Sequence, residues 1–206
     1  MTSKWPISWE LRNSESHPLQ IDWITHPNFS GQIGITLCPG KYQPISWSGG
    51  WNRDLISDIN TIVDSNVTTL ISLIDHEEIE ILRVNDLGKI VQSKGIKWIH
   101  LPLEDTTAPD EQWLKTFFLL LPSITHELES GNSILIHCKG GLSRAGTCAA
   151  MLLHSFRVSI VNAIKLIRTS RSENCINSEQ VNFLFEFANN YETIGLSSIQ
   201  KWRRGD

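Results

Sequence analysis

Ser133-Ile134-Leu135-Ile136-His137-Cys138-Lys139-Gly140-Gly141-Leu142-Ser143-Arg144-Ala145-Gly146 is the stretch that decides the fold. The apolar run Ile134-Leu135-Ile136 at its start predicts a buried strand from Ser133 to His137. A short loop with two glycines follows, and a helix is predicted from about Arg144 to Phe156. A cysteine opens the loop and an arginine closes it after five intervening residues. Such a loop can hold a dianion, because successive backbone N–H groups point into one concavity and the helix N-terminus adds partial positive charge. Gly140 and Gly141 lack a Cβ and can take the positive φ values the turn needs. Arg144 can then close on two phosphate oxygens with its planar fork. The same field should lower the pKa of Cys138, making it a thiolate nucleophile in a phosphate-sized cradle. A cysteine buried only for packing would need neither the glycine pair nor the facing arginine.

Outward from this stretch, strands alternate with helices. Residues 1–30 predict an extended lead-in with one or two edge strands around Leu19 to Trp23. Ile33 to Cys38 reads as a strand ended by Pro39-Gly40, and Leu55, Ile59, Ile62 and Val63 give helical spacing between Trp51 and about Asn66. Val67 to Ile74 is a second buried strand. One helix is predicted from Asp75-His76-Glu77-Glu78 to about Ser93, with its acidic residues where the macrodipole favours them. Gly95 to Leu101 is a further strand, followed by a polar loop from Pro102 to Asp110. The next helix carries Trp113, Phe117, Leu120, Leu121, Ile124 and Leu128 on one face, and Pro122 inside it should kink or split it. Ala149 to Leu153 is apolar all round, so the helix behind the loop should be central and buried. Ser159 can cap a helix containing Ile160, Ala163, Ile164 and Ile167, and a last helix holds Val181, Leu184, Phe187 and Tyr191.

This order predicts an α/β fold with a central, mostly parallel sheet flanked by helices. One domain over residues 1–206 is the simplest division, with 1–30 as its lead-in. In such sheets a ligand site belongs at the carboxyl ends of the strands, where both the Cys138 loop and the loop after Leu101 fall.

Apolar residues make up 40% and charged residues 19% of the 206, with a net charge of −4. That balance argues against a nucleic-acid or anionic-membrane surface, and no apolar run is long enough for a membrane span. The N-terminus has no apolar signal-peptide region. The cysteines at 38, 138, 148 and 175 include no Cys-x2-Cys pair, so a reducing, cytoplasmic setting is expected. The histidines and cysteines show no metal-ligand spacing, and neither a metal nor a cofactor is expected.

A thiolate attacking a phosphate ester needs a proton donor for the departing oxygen. The loop from Pro102 to Asp110 offers Glu104, Asp105 and Asp110, of which Asp105 is the choice and Asp110 the reserve. Asp-Glu ahead of Trp113 also reads as an ordinary helix start. His137 should position the loop by hydrogen bonding. Gln180 could orient the attacking water or be an exposed helix glutamine. Arg168 and Arg171 either support the site or face solvent.

With Cys138, Arg144 and Asp105 assembled, the sequence resembles the Cys-x5-Arg protein tyrosine/dual-specificity phosphatases, and within them the kinase-associated (cyclin-dependent kinase inhibitor-like) phosphatases. His137-Cys138-Lys139-Gly140-Gly141-Leu142 is similar to that subgroup's His-Cys-x-Gly-Gly-Leu signature, and Pro102-Leu103-Glu104-Asp105 to its general-acid loop. Weaker similarity extends to Leu37-Cys38-Pro39-Gly40-Lys41 and the acidic turn at Asp75, so the likeness spans about Ile21 to Phe187. The resemblance implies a phosphocysteine intermediate without metal and a phosphate-binding loop of Lys139, Gly140, Gly141, Leu142, Ser143 and Arg144. It also implies hydrolysis of phosphotyrosine, with phosphoserine and phosphothreonine as further substrates. A phosphorylated protein, such as a kinase, is the expected partner, and the chain should be a monomer.

Two departures bear on turnover. Most of the family has Ser or Thr directly after the arginine, where this chain has Ala145, with Thr147 as a candidate substitute. The usual glycine before the arginine is Ser143. A phosphoprotein-binding pseudophosphatase is therefore the alternative outside enzymes. A phosphoinositide or RNA 5′-phosphatase is the alternative within them, with Lys139 as its single loop lysine. A rhodanese domain would leave the Asp105 loop without a role.

Overall fold

The computed structural model describes residues 11–46 and 49–204, with side chains to Tyr191. In chain order its elements are β1 (Asp22–Ile24), β2 (Gln32–Thr36), β3 (Tyr42–Gln43), β4 (Trp51–Asn52), α1 (Leu55–Asp64), β5 (Val67–Ser72), α2 (His76–Ile81) and α3 (Leu87–Ser93). There follow β6 (Lys97–His100), α4 (Glu111–Glu129), β7 (Ser133–His137), α5 (Ser143–Ser155), α6 (Ile160–Ser170) and α7 (Ser178–Arg204). Five strands form one sheet in the order β1-β2-β7-β5-β6, and only β1 runs antiparallel to its neighbour. The mostly parallel α/β architecture is the one the sequence predicts.

Helices cover both faces of this sheet, which is why its central strands β5 and β7 carry adjacent buried apolar residues, Leu70-Ile71 and Ile134-Leu135-Ile136. Along β7, Ile134 and Ile136 join a core with α4, α5, α6 and α7, while Leu135 joins Leu70, Ile59, Ile62 and Val91 on the other face. Helix α5 is the central one, with Ala145 and Ala149 to Leu153 free of solvent contact. Ser159 caps α6 by accepting from the Asn162 N–H at 3.4 Å.

The register sets up the site. Thr36 pairs with His137, His137 with Ser72, and Ser72 with His100, so four parallel strands end on one line. The turn after β2, the loop after β7, the turn into α2 and the loop after β6 all leave from that edge.

Several local expectations are corrected. The helix placed from Trp51 begins at Leu55, capped by Asp54, whose carboxylate accepts from Ser57 N–H at 2.6 Å, and Trp51-Asn52 pairs with Tyr42-Gln43 instead. The single helix expected from Asp75 to Ser93 is two, because Arg83 takes a left-handed φ of 59° that no helix continues through. Helix α4 runs unbroken past Pro122, since one lost N–H bond is outweighed by burial of Trp113, Phe117, Phe118, Leu121, Ile124 and Leu128. Of the expected lead-in, residues 1–10 lie outside the described residues, and the rest supplies β1 and a bridge from Arg12 to Trp51. Among the described residues no helix is long and apolar enough to cross a membrane.

Candidate active site

Cys138 follows β7 directly and is 2% exposed. Gly141 has φ +66°, and a Cβ there would lie 2.3 Å from the Thr36 carbonyl oxygen, so only glycine lets the loop approach β2. Gly140 is different: a Cβ would meet nothing closer than Leu142 Cδ1 at 3.9 Å, and its φ is not positive. The expected need for two left-handed glycines therefore narrows to one. Three successive loop carbonyls face donors. Lys139 O accepts from Cys38 N–H at 3.3 Å and from Lys41 Nζ at 3.1 Å. Arg171 donates to Gly141 O at 3.1 Å and Gly140 O at 3.3 Å, and is itself fixed by Asp22 at 2.6 Å. Among the described residues, the backbone N–H groups of Lys139, Gly140, Gly141 and Leu142 have no acceptor. This is the arrangement of an anion cradle.

Arg144 comes from the first turn of α5 and is wholly buried. It donates twice to Glu78, through Nη1 at 2.5 Å and Nη2 at 2.8 Å. Nη1 also reaches Leu103 O at 2.8 Å and Leu73 O at 3.3 Å, and Nη2 reaches Asp105 Oδ1 at 2.9 Å. Nε is buried without a partner among the described residues. Burial works against this charge, but the Glu78 hydrogen bond and the negative groups at Cys138, Glu78 and Asp105 outweigh it and hold the guanidinium above its ordinary pKa. Glu78 is the residue the sequence reading missed. It looked like helix-start acidity, and it does serve there in a capping box with Asp75.

Asp105 is brought to the loop, as the sequence predicts. Its carboxylate pairs with Arg144 and lies 3.9 Å from Lys139 Nζ, and its side chain is 44% exposed. Thr106 beside it has φ +66°. That strained turn is held by α7 and the residue before it: Asn177 Nδ2 donates to Thr106 O at 2.8 Å and Gln180 Nε2 to Thr107 O at 2.9 Å. Gln180 is fully buried rather than exposed, and its amide is engaged with the acid loop. Asp110 is not brought to the loop. It caps α4, accepting from Trp113 N–H at 2.7 Å, because the four free N–H groups of that helix start claim it.

Residues 51–156, just over half of the chain, match the family Tc-R-P, described as polymorphic toxin system, DSP-PTPase phosphatase. The chain belongs to this phosphatase family. It is 28% identical over 184 residues to cyclin-dependent kinase inhibitor 3 of Rattus norvegicus, covering 86% of this chain and 82% of that protein. The human protein of the same name is 28% identical over 179 residues, covering 84% and 80%. A crystal structure of kinase associated phosphatase, with serine in place of its catalytic-site cysteine, superposes with a TM-score of 0.74 at 26% identity, covering 84% of this chain and 96% of that one. The protein is thus a phosphatase of the tyrosine/dual-specificity class.

Behind the loop of this phosphatase, His137 Nε2 lies 2.6 Å from Ser72 Oγ and Nδ1 lies 3.4 Å from Cys138 O. Trp98 Nε1–H donates to the same Ser72 oxygen at 2.7 Å, so the Ser72 hydroxyl gives its proton to His137 Nε2 and Nδ1–H faces the carbonyl. Burial pushes the imidazole pKa down to about 4, which keeps it neutral. Thr147 is buried and its hydroxyl donates to Ser143 O at 2.9 Å, a bond within α5, and Ala145 offers no hydroxyl. Arg168 donates to Cys175 O and Ile176 O, so Arg168 and Arg171 both face inward. All four cysteines are buried and unbridged. Burial raises Cys38 far above the thiol range, Cys148 to about 12 and Cys175 to about 11. Among the described residues no three His, Cys, Asp or Glu side chains are grouped to hold a metal ion.

Proposed function

We propose that this phosphatase uses Cys138 as nucleophile, Arg144 with the loop amides as phosphoryl ligands, and Asp105 as general acid and then base. The observation that carries the reading is Arg144, whose buried Nε lacks an acceptor among the described residues while its Nη2 rests on Asp105. A phosphoryl group can take Nε and the position Asp105 holds on Nη2, and the N–H groups of Lys139 to Leu142 complete its shell. Displaced from the arginine, the Asp105 carboxyl is free to carry a proton.

The Cys138 thiolate then forms an S–P bond as the P–O bond to the leaving group breaks, and Asp105 gives its proton to the departing oxygen. In the second step Asp105 takes a proton from water, the water oxygen bonds to phosphorus, and the S–P electron pair returns to sulfur. No step calls on a metal or cofactor. Gln180 acts through the acid loop that it tethers, and His137 through the Cys138 carbonyl. The substrate class is a phosphoprotein, and relatives named cyclin-dependent kinase inhibitor 3 and kinase associated phosphatase support a kinase as its partner. A monomeric, single-domain, cytoplasmic enzyme is the simplest form consistent with this.

Hydrolysis of an aryl phosphate tests the assignment. Cys138→Ser should lower kcat by roughly 10⁴-fold or more, and Asp105→Ala by about 10²- to 10³-fold. Wild-type turnover in the serine variant would sink it. Ala145, with Thr147 bonded inside its own helix, favours a second reading in which the phosphocysteine forms quickly and breaks down slowly. Rapid-mixing kinetics should then give one equivalent of leaving group per enzyme before a slower steady rate. A linear time course from the first turnover removes this second reading.

A further inference from the structure

Among the described residues Lys41 is the one buried lysine, 4% exposed, and no carboxylate pairs with it. Its backbone is fixed by a tight turn. Lys41 N–H reaches Cys38 O at 3.4 Å, Arg53 N–H reaches Lys41 O at 3.1 Å, and Gly40 N–H donates to Asp58 Oδ2 at 2.8 Å. From that turn Nζ donates to Lys139 O at 3.1 Å and Gln43 Oε1 at 3.3 Å, with the Trp51 ring 5.4 Å away. Lys139 O belongs to the peptide whose N–H is that of Gly140. A cation on this oxygen polarises that N–H toward whatever sits in the cradle.

We propose that Lys41 is a positioning residue of the phosphate-binding loop: its protonated amine fixes the Lys139 carbonyl outward and places a positive charge behind Cys138. The inference rests on the loop reading given above. The groups facing Lys41 act in both directions. Burial is the largest influence and lowers its pKa, the Cys38 and Cys138 sulfurs raise it, and Arg53 and Arg12 lower it, leaving it near 8. Arg53 is itself paired with Asp58 at 2.7 Å, while Glu78 faces Cys38. Arg171, which holds the next two carbonyls, stays charged throughout this range. Anion capture is therefore strongest below the Lys41 titration and weakens above it.

The test uses sulfate, dianionic over the whole range, as a competitive inhibitor of aryl phosphate hydrolysis. In wild type the sulfate inhibition constant should rise severalfold between about pH 7 and about pH 9.5. Lys41→Met should weaken sulfate by ~10-fold at pH 7. Lys41→Arg should keep wild-type sulfate affinity at pH 7 and hold it at the alkaline end. A wild-type sulfate constant that stays flat from pH 7 to beyond the ordinary lysine pKa of 10.5 overturns the proposal even if neither variant folds. So does a Lys41→Met protein with an unchanged sulfate constant. In either case an inactive Cys138→Ser protein leaves the nucleophile assignment standing, whereas an active one removes that assignment itself.

Discussion

Arg144 and Lys41 are buried cations on opposite sides of one loop, and they are stabilised in different ways. Arg144 has two carboxylates and two carbonyls around it and stays charged despite complete burial. Lys41 has neutral oxygens only, and burial moves its titration down to about 8. Burial alone therefore does not decide whether a side chain keeps its charge. The partners do, because Coulomb attraction to a carboxylate must offset the loss of hydration. One edge of the sheet thus combines a permanent charge with one poised to titrate.

Removing the carboxylate from Arg144 tests the comparison hardest. Glu78→Gln keeps one acceptor but deprives a fully buried guanidinium of its bidentate partner. Breaking such a pair costs about 3–5 kcal/mol, read as a lower urea midpoint at unchanged m-value. Asp105→Ala should leave the midpoint nearly unmoved, since that carboxylate is 44% exposed and solvent screens it. Equal losses in the two variants would show that the guanidinium does not distinguish its two partners.

His137 sharpens the same rule from the neutral side. It is buried against a hydroxyl and a carbonyl, and burial lowers its pKa from 6.5 to about 4. The unfolded chain therefore binds more protons between those values. The stabilisation is fully present above pH 6.5 and lost as pH falls through about 4. At one pKa unit per about 1.4 kcal/mol, the loss approaches roughly 3 kcal/mol. Urea midpoints measured down to that pH should fall in wild type and fall much less in His137→Asn. Parallel curves would mean that the imidazole is not the group responsible.

Legibility followed distance along the chain. Strand β7, its loop and α5 could be read because the apolar run, the glycines and the arginine lie within 14 consecutive residues. The Asp105 loop could be placed because alternation of strands and helices puts it on the same edge. Glu78 could not, since its partner Arg144 is 66 residues away and its own neighbours make it look like a helix cap. Lys41 is 98 residues from the carbonyl it holds and sits in a plain Pro-Gly turn. Gln180 stands out near a helix start, but its burial against Thr107 depends on where α7 crosses the acid loop, which local pattern does not encode. The split of the 75–93 helix turned on a single left-handed residue, Arg83, whose side chain gives no warning.

The smallest expected effect separates stability from function at Lys41. Its folded-state pKa lies below the ordinary 10.5, so a protonated Lys41 costs stability at neutral pH, and that cost fades as pH rises from about 8 to 10.5. Lys41→Met removes the buried charge but also the bonds to Gln43 and Lys139 O, the latter still held by Cys38 N–H. Setting a shift worth up to roughly 3 kcal/mol against the bonds lost leaves a net gain of about 1–2 kcal/mol at pH 7. The variant should therefore melt higher than wild type at pH 7, with the gap closing toward pH 10, while binding sulfate more weakly. Stability and anion capture would then move in opposite directions at one residue, the pattern expected where a charge is kept for function. A variant that melts lower at pH 7 would instead make Lys41 a structural tether, no different in kind from Gln180.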